Sequence, residues 1–279
     1  MIYVEEVKVP GFLFGADPEL FVLDETGRPV SAEGLLPGTK NDPFPVEDGA
    51  IQVDGMAAEF NIDPVSNFED FNTKIVSVMG QLRRMLPKGY SLSAVPAVEF
   101  DEEVWDSSPA IAKMLGCSAD FNAWTGRINP PPKASGRPRL RTAAGHLHIG
   151  WTDDADLGDE NHTRNCRDLV KQLDWYLGAW SLQKDPDPTR RLLYGKAGAM
   201  RYKPYGVEYR VLSNFWLKNK DSRRMVWNRM ARAINNMSTC FYPGRPSYES
   251  FNERVIRSIN TSQRDAGLEY MFRNPLIIL

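Results

Sequence analysis

Four short segments of this chain alternate between apolar and ionisable residues, and that period of two constrains the fold more than any other feature. In a strand, residues i and i+2 project from the same face. Along "GADPELF", Asp17 and Glu19 share a face opposite Ala16, Pro18 and Leu20. Along "MAAEFNID", Glu59, Asn61 and Asp63 oppose Ala58, Phe60 and Ile62. Along "GHLHIGW", His146 and His148 oppose Leu147, Ile149 and Trp151; along "GVEYRVL", Glu208 and Arg210 oppose Tyr209 and Val211. A solvated outer face alternates in the same way. Here, however, the Lys, Thr and Ser usual on such a face are absent, and carboxylates, a histidine pair and an arginine stand in their place. Small residues crowd the same segments (Gly15, Ala58, Ala144, Gly145, Gly150), as where something must approach a strand backbone. The expectation is a sheet with one charged, concave face and one apolar face.

What packs on the apolar face is read from a different period. Phe68, Phe71, Ile75, Met79, Leu82 and Leu86 recur at spacings of three and four, predicting a helix over 68–86. Asn67 or Ser66 can cap it, and Pro87 with Gly89 ends it. Similar spacing predicts helices over 164–182 and 221–237, and a shorter one from Ser247 or Ser250 to Asn260. Strand-like runs are "GFLFGADPELFVLD", a short return after "ETGRPV", "VEDGAIQVDGMAAEFNIDP" with a hairpin turn at Asp48–Gly49, "YSLSAVPAVEF" and "GVEYRVLSNFW". The stretch 101–142 reads as irregular. Strands and helices mix without regular βαβ alternation, so the expected class is α+β with a curved, mainly antiparallel sheet and helices on its outer face. No Pro/Gly/Ser linker divides the chain, so residues 1–279 are expected to form one domain.

Composition excludes several classes. A net charge of −2 offers no broad basic field for nucleic acid. No apolar run approaches the ~20 residues of a membrane span, and the N-terminal "MIYVEEVKVP" lacks a signal-peptide core. Cys117, Cys166 and Cys240 form no CxxC pair, which favours reduced thiols and a cytoplasmic setting.

Carboxylates converging from separate strands suit a hard divalent cation such as Mg²⁺ or Mn²⁺, with a histidine nitrogen tolerable among the oxygens. Without a cation they would repel one another and take up protons. Only three histidines occur in the chain, and no cysteine cluster accompanies the pair at 146 and 148, which argues against structural zinc. Positive charge gathers in "GRINPPPKASGRPRLRTAAG" and in "TRRLLYGKAGAMRYKPYGVEYR". Solvated loops are one reading of these stretches. Guanidinium groups beside a metal-binding face also suit a polyphosphate. Neither GxxxxGK[ST] nor GxGxxG occurs, so a nucleotide here would be held by metals and arginines on a sheet.

The segments "GADPELF", "GTK", "QVDGMAAEFNIDP", "RTAAGHLHIGW" and "RRLLYGKAGAMRYKPYGVEYRVLSNFW" resemble, in order, the motifs of bacteriophage-type carboxylate–amine ligases (amidoligases) of the type 2 group. That group is placed with the glutamine synthetase and glutamate–cysteine ligase fold, and the resemblance spans roughly residues 15–216. It implies a glutamine synthetase-like domain whose concave face binds ATP and two or three Mg²⁺ or Mn²⁺ ions. Carried over by position, Asp17, Glu19, Glu59, His146 and Glu208 would be metal ligands. His148, Arg141, Arg191, Lys196, Arg201 and Arg210 would contact the nucleotide, with Arg201 and Arg210 at the transferring phosphate. Asp17 stands where glutamine synthetase-like enzymes usually carry Glu, so its shorter arm either moves a ligand or leaves it behind the metal.

The activity so implied is ATP-dependent amide or peptide-bond formation through an acyl phosphate. A small-molecule or peptide carboxylate and an amine donor are its partners, and Asp54 or Asp63 takes the amine's proton. The location implied is the cytoplasm, the host's if the chain is phage-encoded, and a homo-oligomer is compatible. Two other readings are a metal-dependent amide hydrolase using the HxH pair and a non-catalytic binding protein on a ligase fold. The first needs further histidines, of which His162 alone remains.

Overall fold

A computed structural model describes residues 7–114, 120–132, 136–238 and 249–273, without the side chains of 270–273. Its strands are β1 (Leu13–Leu23), β2 (Pro29–Val30), β3 (Phe44–Val46), β4 (Gly49–Asp54), β5 (Ala57–Ile62), β6 (Ser91–Ser93), β7 (Ala97–Glu99), β8 (Phe121–Asn122), β9 (Leu140–Thr142), β10 (Gly145–Gly150), β11 (Ala199–Lys203) and β12 (Gly206–Tyr209). Among the described residues, one sheet runs β3-β4-β5-β1-β10-β12-β11-β8, and β2 and β6 also pair with β1. All these pairings are antiparallel. β7 and β9 form a separate two-stranded sheet. The class is α+β with a large antiparallel sheet, as the alternation predicts.

The β3–β4 hairpin turns one residue earlier than the sequence suggests. Val46 pairs with Gly49, leaving Glu47 and Asp48 in the loop, with Asp48 at φ 70°. Asp is among the few residues that tolerate this conformation. Gly49 is spent on the strand instead: a Cβ there would lie 2.0 Å from the Asn61 carbonyl oxygen.

Helices cover the apolar face. α1 (Phe68–Met85) is capped by Asn67, whose side chain accepts from the Asp70 amide at 2.9 Å, and buries Phe68, Phe71, Ile75, Val78, Met79 and Leu82. α2 (Glu102–Ser107), together with β8 and β9, organises a stretch expected to be irregular. α3 (Glu160–Leu173) starts before the expected Arg164 because Asp159 caps it, accepting from the Asn161 amide at 2.8 Å. It continues through a π-helical turn, Asp174–Gly178, into α4 (Ala179–Ser181). α5 (Lys220–Asn235) matches its predicted span closely, whereas α6 (Glu249–Thr261) is followed by an unanticipated α7 (Ala266–Arg273). Ser247, Lys133, Cys117 and Cys240 lie outside the described residues.

Two strand predictions need correction. The run 90–100 divides into β6, on β1, and β7, on β9, with Pro96 between them unable to donate to a ladder. "GVEYRVLSNFW" leaves the sheet after Tyr209 and becomes a 3₁₀ turn at Asn214–Lys218. β11 was hidden in a stretch that reads as a basic loop.

The core centres on aromatic contacts between helices and β1. Trp227 of α5 is fully buried and meets Phe14, Phe71 and Phe68 with ring centroids at 4.7, 5.4 and 6.3 Å. Leu147 and Ile149 of β10 and Val207 and Tyr209 of β12 lie buried in the same core. Behind Tyr209 sits Asp174, fully buried in the π-turn. Its carboxylate accepts from Trp124 Nε1 at 2.7 Å, the Gly198 amide at 2.6 Å and the Tyr209 hydroxyl at 2.8 Å. Burial nonetheless pushes the carboxyl up to about 7. Cys166 is a free buried thiol, pushed up to about 12 by burial. Among the described residues, no helix is long and apolar enough to cross a membrane.

Truncating the aromatic hub tests this picture. Trp227→Ala should lower the unfolding free energy by about 3 to 5 kcal/mol, read from urea denaturation. A loss below about 1 kcal/mol would mean that the contacts around Trp227 do not organise the helix layer.

Candidate active site

Strand register brings the polar residues together. Glu59 lies opposite Glu19 across β5–β1, and Asp17 opposite His146 across β1–β10. His148 lies opposite Glu208 across β10–β12, and Glu208 opposite Arg201 across β12–β11. Directly opposed residues of an antiparallel pair share a face. Asp17, Glu19, Glu59, His146, His148, Glu208 and Arg201 therefore stand on one side of four adjoining strands and the next, with Arg210 just past β12.

The tightest cluster surrounds Glu208, whose carboxylate is completely buried. Lys203 Nζ approaches one oxygen at 3.0 Å, Arg201 Nη1 the other at 3.6 Å, and Arg210 Nη1 hydrogen-bonds it directly. Arg210 Nε donates to Asp120 at 2.6 Å. Burial and Asp17 would raise the Glu208 carboxyl, but Arg210, His146 and His148 outweigh them and hold it at about 2. Burial also acts against ionisation of Asp17, yet His148 and His146 keep it well below the usual carboxylate range.

The arrangement around His146 fits a cation. Arg210 Nη1 lies 3.3 Å from His146 Nδ1, and a guanidinium can only donate, so Nδ1 presents its lone pair there. Asp17 Oδ1 at 3.4 Å and Glu208 Oε1 at 3.6 Å face the same nitrogen. Ligand atoms of Asp17, His146 and Glu208 lie within 4.8 Å of one another, a mixed oxygen and nitrogen set acceptable to Mg²⁺ or Mn²⁺. Burial and Arg210 push the His146 imidazole down, toward the neutral form that a metal requires. His148 Nε2 faces Asp17 Oδ1 at 3.0 Å, both buried without a hydrogen bond, and its Nδ1 is hydrogen-bonded to the Tyr205 hydroxyl. Burial would lower His148, but Asp17 raises it above its ordinary value.

The β1–β5 side is short of positive charge. Glu59 accepts from Gln52 Nε2 at 2.7 Å, a neutral donor. Burial, then Asp17, Glu19 and Asp54, push the Glu59 carboxyl well above its usual range. Burial and Asp54 push Glu19 up to about 7. A divalent ion would relieve that repulsion, so Glu19 and Glu59 also suit cation binding.

A cleft of about 80 Å³ opens over this face, and Glu19, Asp54, His146, Arg141, Arg201 and Arg210 line it. Asp17, Glu59, His148 and Glu208 are not on its wall. Besides His148, two residues named as nucleotide contacts lie off the cleft wall: Arg191 is 1% exposed, against Asp185 at 4.0 Å and Ser262 at 3.3 Å, and Lys196 does not border the cleft. The arginine that reaches the cleft is Arg190. Both sit in a 3₁₀ turn, Arg190–Leu192, where strand alternation cannot tell which side chain points inward. Of the two proton acceptors considered, Asp54 lines the cleft, paired with Lys40 at 3.2 Å. Asp63 lies past the end of β5, its side chain 60% exposed and paired with Lys74. Lys40 and Asp120 also line the cleft without having been singled out. Lys40 belongs to the quoted "GTK", whereas Asp120 sits in the stretch read as irregular.

No protein-family model matches the chain, and no curated protein matches it. Among solved structures, a crystal structure of a novel glutamine synthase homolog is similar over 96% of this chain and 67% of its own, with 12% identity and a TM-score of 0.42. A bifunctional glutathione synthetase from Pasteurella multocida is similar over 95% of this chain, at 11% identity and a TM-score of 0.40. The chain spans 46% of that protein, less than half its length. Similarity at this level assigns neither a family nor an activity.

The crowded carboxylates give a pH signature in metal-free protein. Glu19 releases its proton at about 7 when folded and near its ordinary 4.5 when unfolded, so between those values the folded chain holds more protons and stability falls as pH rises. At 1.36 kcal/mol per unit the penalty reaches on the order of 3 kcal/mol above pH 7. In EDTA, Glu19→Gln should therefore melt higher than the parent at pH 8 and no higher at pH 4.5. An equal effect at both pH values would show that the carboxylate is not strained.

Proposed function

We propose that the protein is an ATP-dependent carboxylate–amine ligase of the amidoligase type, joining a small-molecule or peptide acid to an amine through an acyl phosphate. The observation that carries this reading is the meeting of Asp17, His146 and Glu208 ligand atoms within 4.8 Å at a carboxylate that Arg201 and Arg210 also reach, beside an open cleft. The resemblance of the five ordered motifs to bacteriophage-type amidoligases supports it.

Asp17, Glu19, Glu59, His146 and Glu208 would hold Mg²⁺ or Mn²⁺, which when bound neutralises phosphate oxygens and makes the terminal phosphorus more electrophilic. Arg210 is fixed on two sides, by Glu208 and Asp120, so its remaining donors meet developing phosphoryl charge without reorganising. Arg201, on the facing strand, adds a second guanidinium at the same carboxylate. His148, between Asp17 and Tyr205, is a candidate phosphate contact. Asp54, steadied by Lys40, is positioned to accept the proton shed by the attacking ammonium. Metal-dependent hydrolysis by the histidine pair is disfavoured, because His162 points away to the Lys203 carbonyl at 2.9 Å, among Trp151 and Cys166 under the helix layer.

The test is ADP release from Mg·ATP with paired panels of acids and amines. Release should need both partners, and Arg210→Gln should lower kcat by about 10²–10³-fold, the usual effect of removing one transition-state donor. Mn²⁺ affinity, followed by electron paramagnetic resonance, should fall at least about tenfold in Glu208→Gln. Amide hydrolysis without ATP would sink the proposal, as would full ADP release by Arg210→Gln.

A further inference from the structure

Charge is divided along the outer edge of α3, on the side of the sheet away from the cleft. Cys166, Leu169, Val170 and Leu173 bury one face of this helix in the core. Arg164, Arg167 and Lys171, at spacings of three and four, share the other. The three cations border a groove of about 350 Å³ closed on its far side by the turn 123–126. Among the described residues on its wall, Asp168 alone is acidic, and it lies 3.5 Å from Lys171. Among the described residues no ion pair within 4.0 Å reaches Arg164 or Arg167.

The opposite charge stands just ahead of the helix. Residues 153–160 carry Asp153, Asp154, Asp156, Asp159 and Glu160, all exposed. Among the described residues none of these carboxylates meets a cation within 4.0 Å. The loop is nonetheless held in shape. The Ala155 amide donates to the Pro204 carbonyl at 2.8 Å, the Asp159 amide to the Asp156 carbonyl at 3.0 Å, and the Gly158 amide to the Asp156 carboxylate at 2.8 Å. Like charges crowded on an ordered loop repel, and a matching surface relieves them at little cost in ordering. In their midst Leu157 is 46% exposed. On the other flank of α3, Trp151, Leu169, Ile234 and Met237 line an apolar groove, also of about 350 Å³.

We propose that this ridge is the interface of a two-fold dimer of the chain, in which the 153–160 loop of one copy docks on α3 of the other. The helix is about 21 Å long, and the stretch from Arg164 to Lys171 covers about 10 Å of it. With two α3 helices antiparallel, each acidic loop comes beside Arg167 and Lys171 of the other copy, and each Leu157 beside the other copy's apolar groove. A parallel arrangement sets loop against loop and ridge against ridge, so repulsion selects the antiparallel one. The surface is then self-complementary, and assembly closes at two copies. The dimer does not depend on the ligase reading, since the sheet separates this ridge from the cleft.

Sedimentation velocity of the full chain in about 50 mM and about 500 mM NaCl tests the assignment. The parent should be dimeric in low salt, with a dimer dissociation constant at least about tenfold weaker in high salt. A ridge variant (Arg167→Glu with Lys171→Glu) and a loop variant (Asp153→Lys with Asp154→Lys) should each be monomeric. Mixed in equal amounts they should pair, because the reversed loop then meets the reversed ridge and the unreversed contact is kept. Should the ridge variant fail to fold by circular dichroism, the loop variant decides alone, and a dimer that survives in it overturns the proposal. So does a parent that stays monomeric at about 100 µM in low salt, a dimer indifferent to salt, or a mixture that does not pair. A monomeric parent whose ridge binds polyglutamate likewise overturns it, and would assign the groove to an acidic partner of another kind.

Discussion

A carboxylate with no exposed surface, Glu208, has to be met by positive charge within its own layer of the sheet, and the surrounding structure follows from that demand. Taking an ion out of water costs several kcal/mol even after relaxation, so an isolated glutamate at this position would stay protonated. Arg210, two residues on, and Lys203 and Arg201, on the strand beside it, supply the compensation. The geometry is available only because β11, β12 and β10 pair antiparallel, in a register that puts Arg201, Glu208 and His148 in one row. A slip of one residue would send Glu208 into the apolar layer and bring Tyr209 or Val207 to the polar face.

The polar face is electrically divided along that row. Toward β11 each carboxylate has a cation, and Arg210, His146 and His148 hold Glu208 at about 2 against its burial. Toward β5, Glu19 and Glu59 have the Ala144 backbone amide, a glutamine and each other, and both hold their protons more tightly than usual. Asp17 and His146 stand at the boundary. A divalent ion and a polyphosphate are complementary to such a surface in opposite halves, which is why the two ligand classes suit it together better than either does alone.

Much of this was legible in the sequence because a strand reports its faces with a period of two. Asp17 with Glu19, His146 with His148, and Glu208 with Arg210 could be placed on one side before any coordinates, since the intervening residues are apolar. What alternation cannot reach is structure without that period. In the 3₁₀ turn at Arg190–Leu192, neighbouring arginines differ completely in surroundings, and nothing in "TRRLLYG" says which one meets the cleft. β11 escaped notice because Arg201 and Lys203 fill its polar face with cations and make it read as a basic loop. Asp120 was hidden for another reason: its long-range contact to Arg210 decides its role, and this leaves no local pattern. The early start of α3 was readable in principle from Asp159, a standard capping residue, but its first turn carries few apolar residues to announce it.

The π-helical turn that places Asp174 behind β12 has an evolutionary consequence. One carboxylate there receives a tryptophan, a glycine amide and a tyrosine from three separate stretches of chain, and Gly178 has no room for a side chain beside the tyrosine hydroxyl. Changing any one of them leaves the others with a buried donor or charge unmet. In diverging copies of this protein, positions 124, 174, 178 and 209 are therefore bound to vary as a block or not at all. A record of their joint substitution would trace the history of the fold's rear wall independently of selection on whatever occupies the cleft.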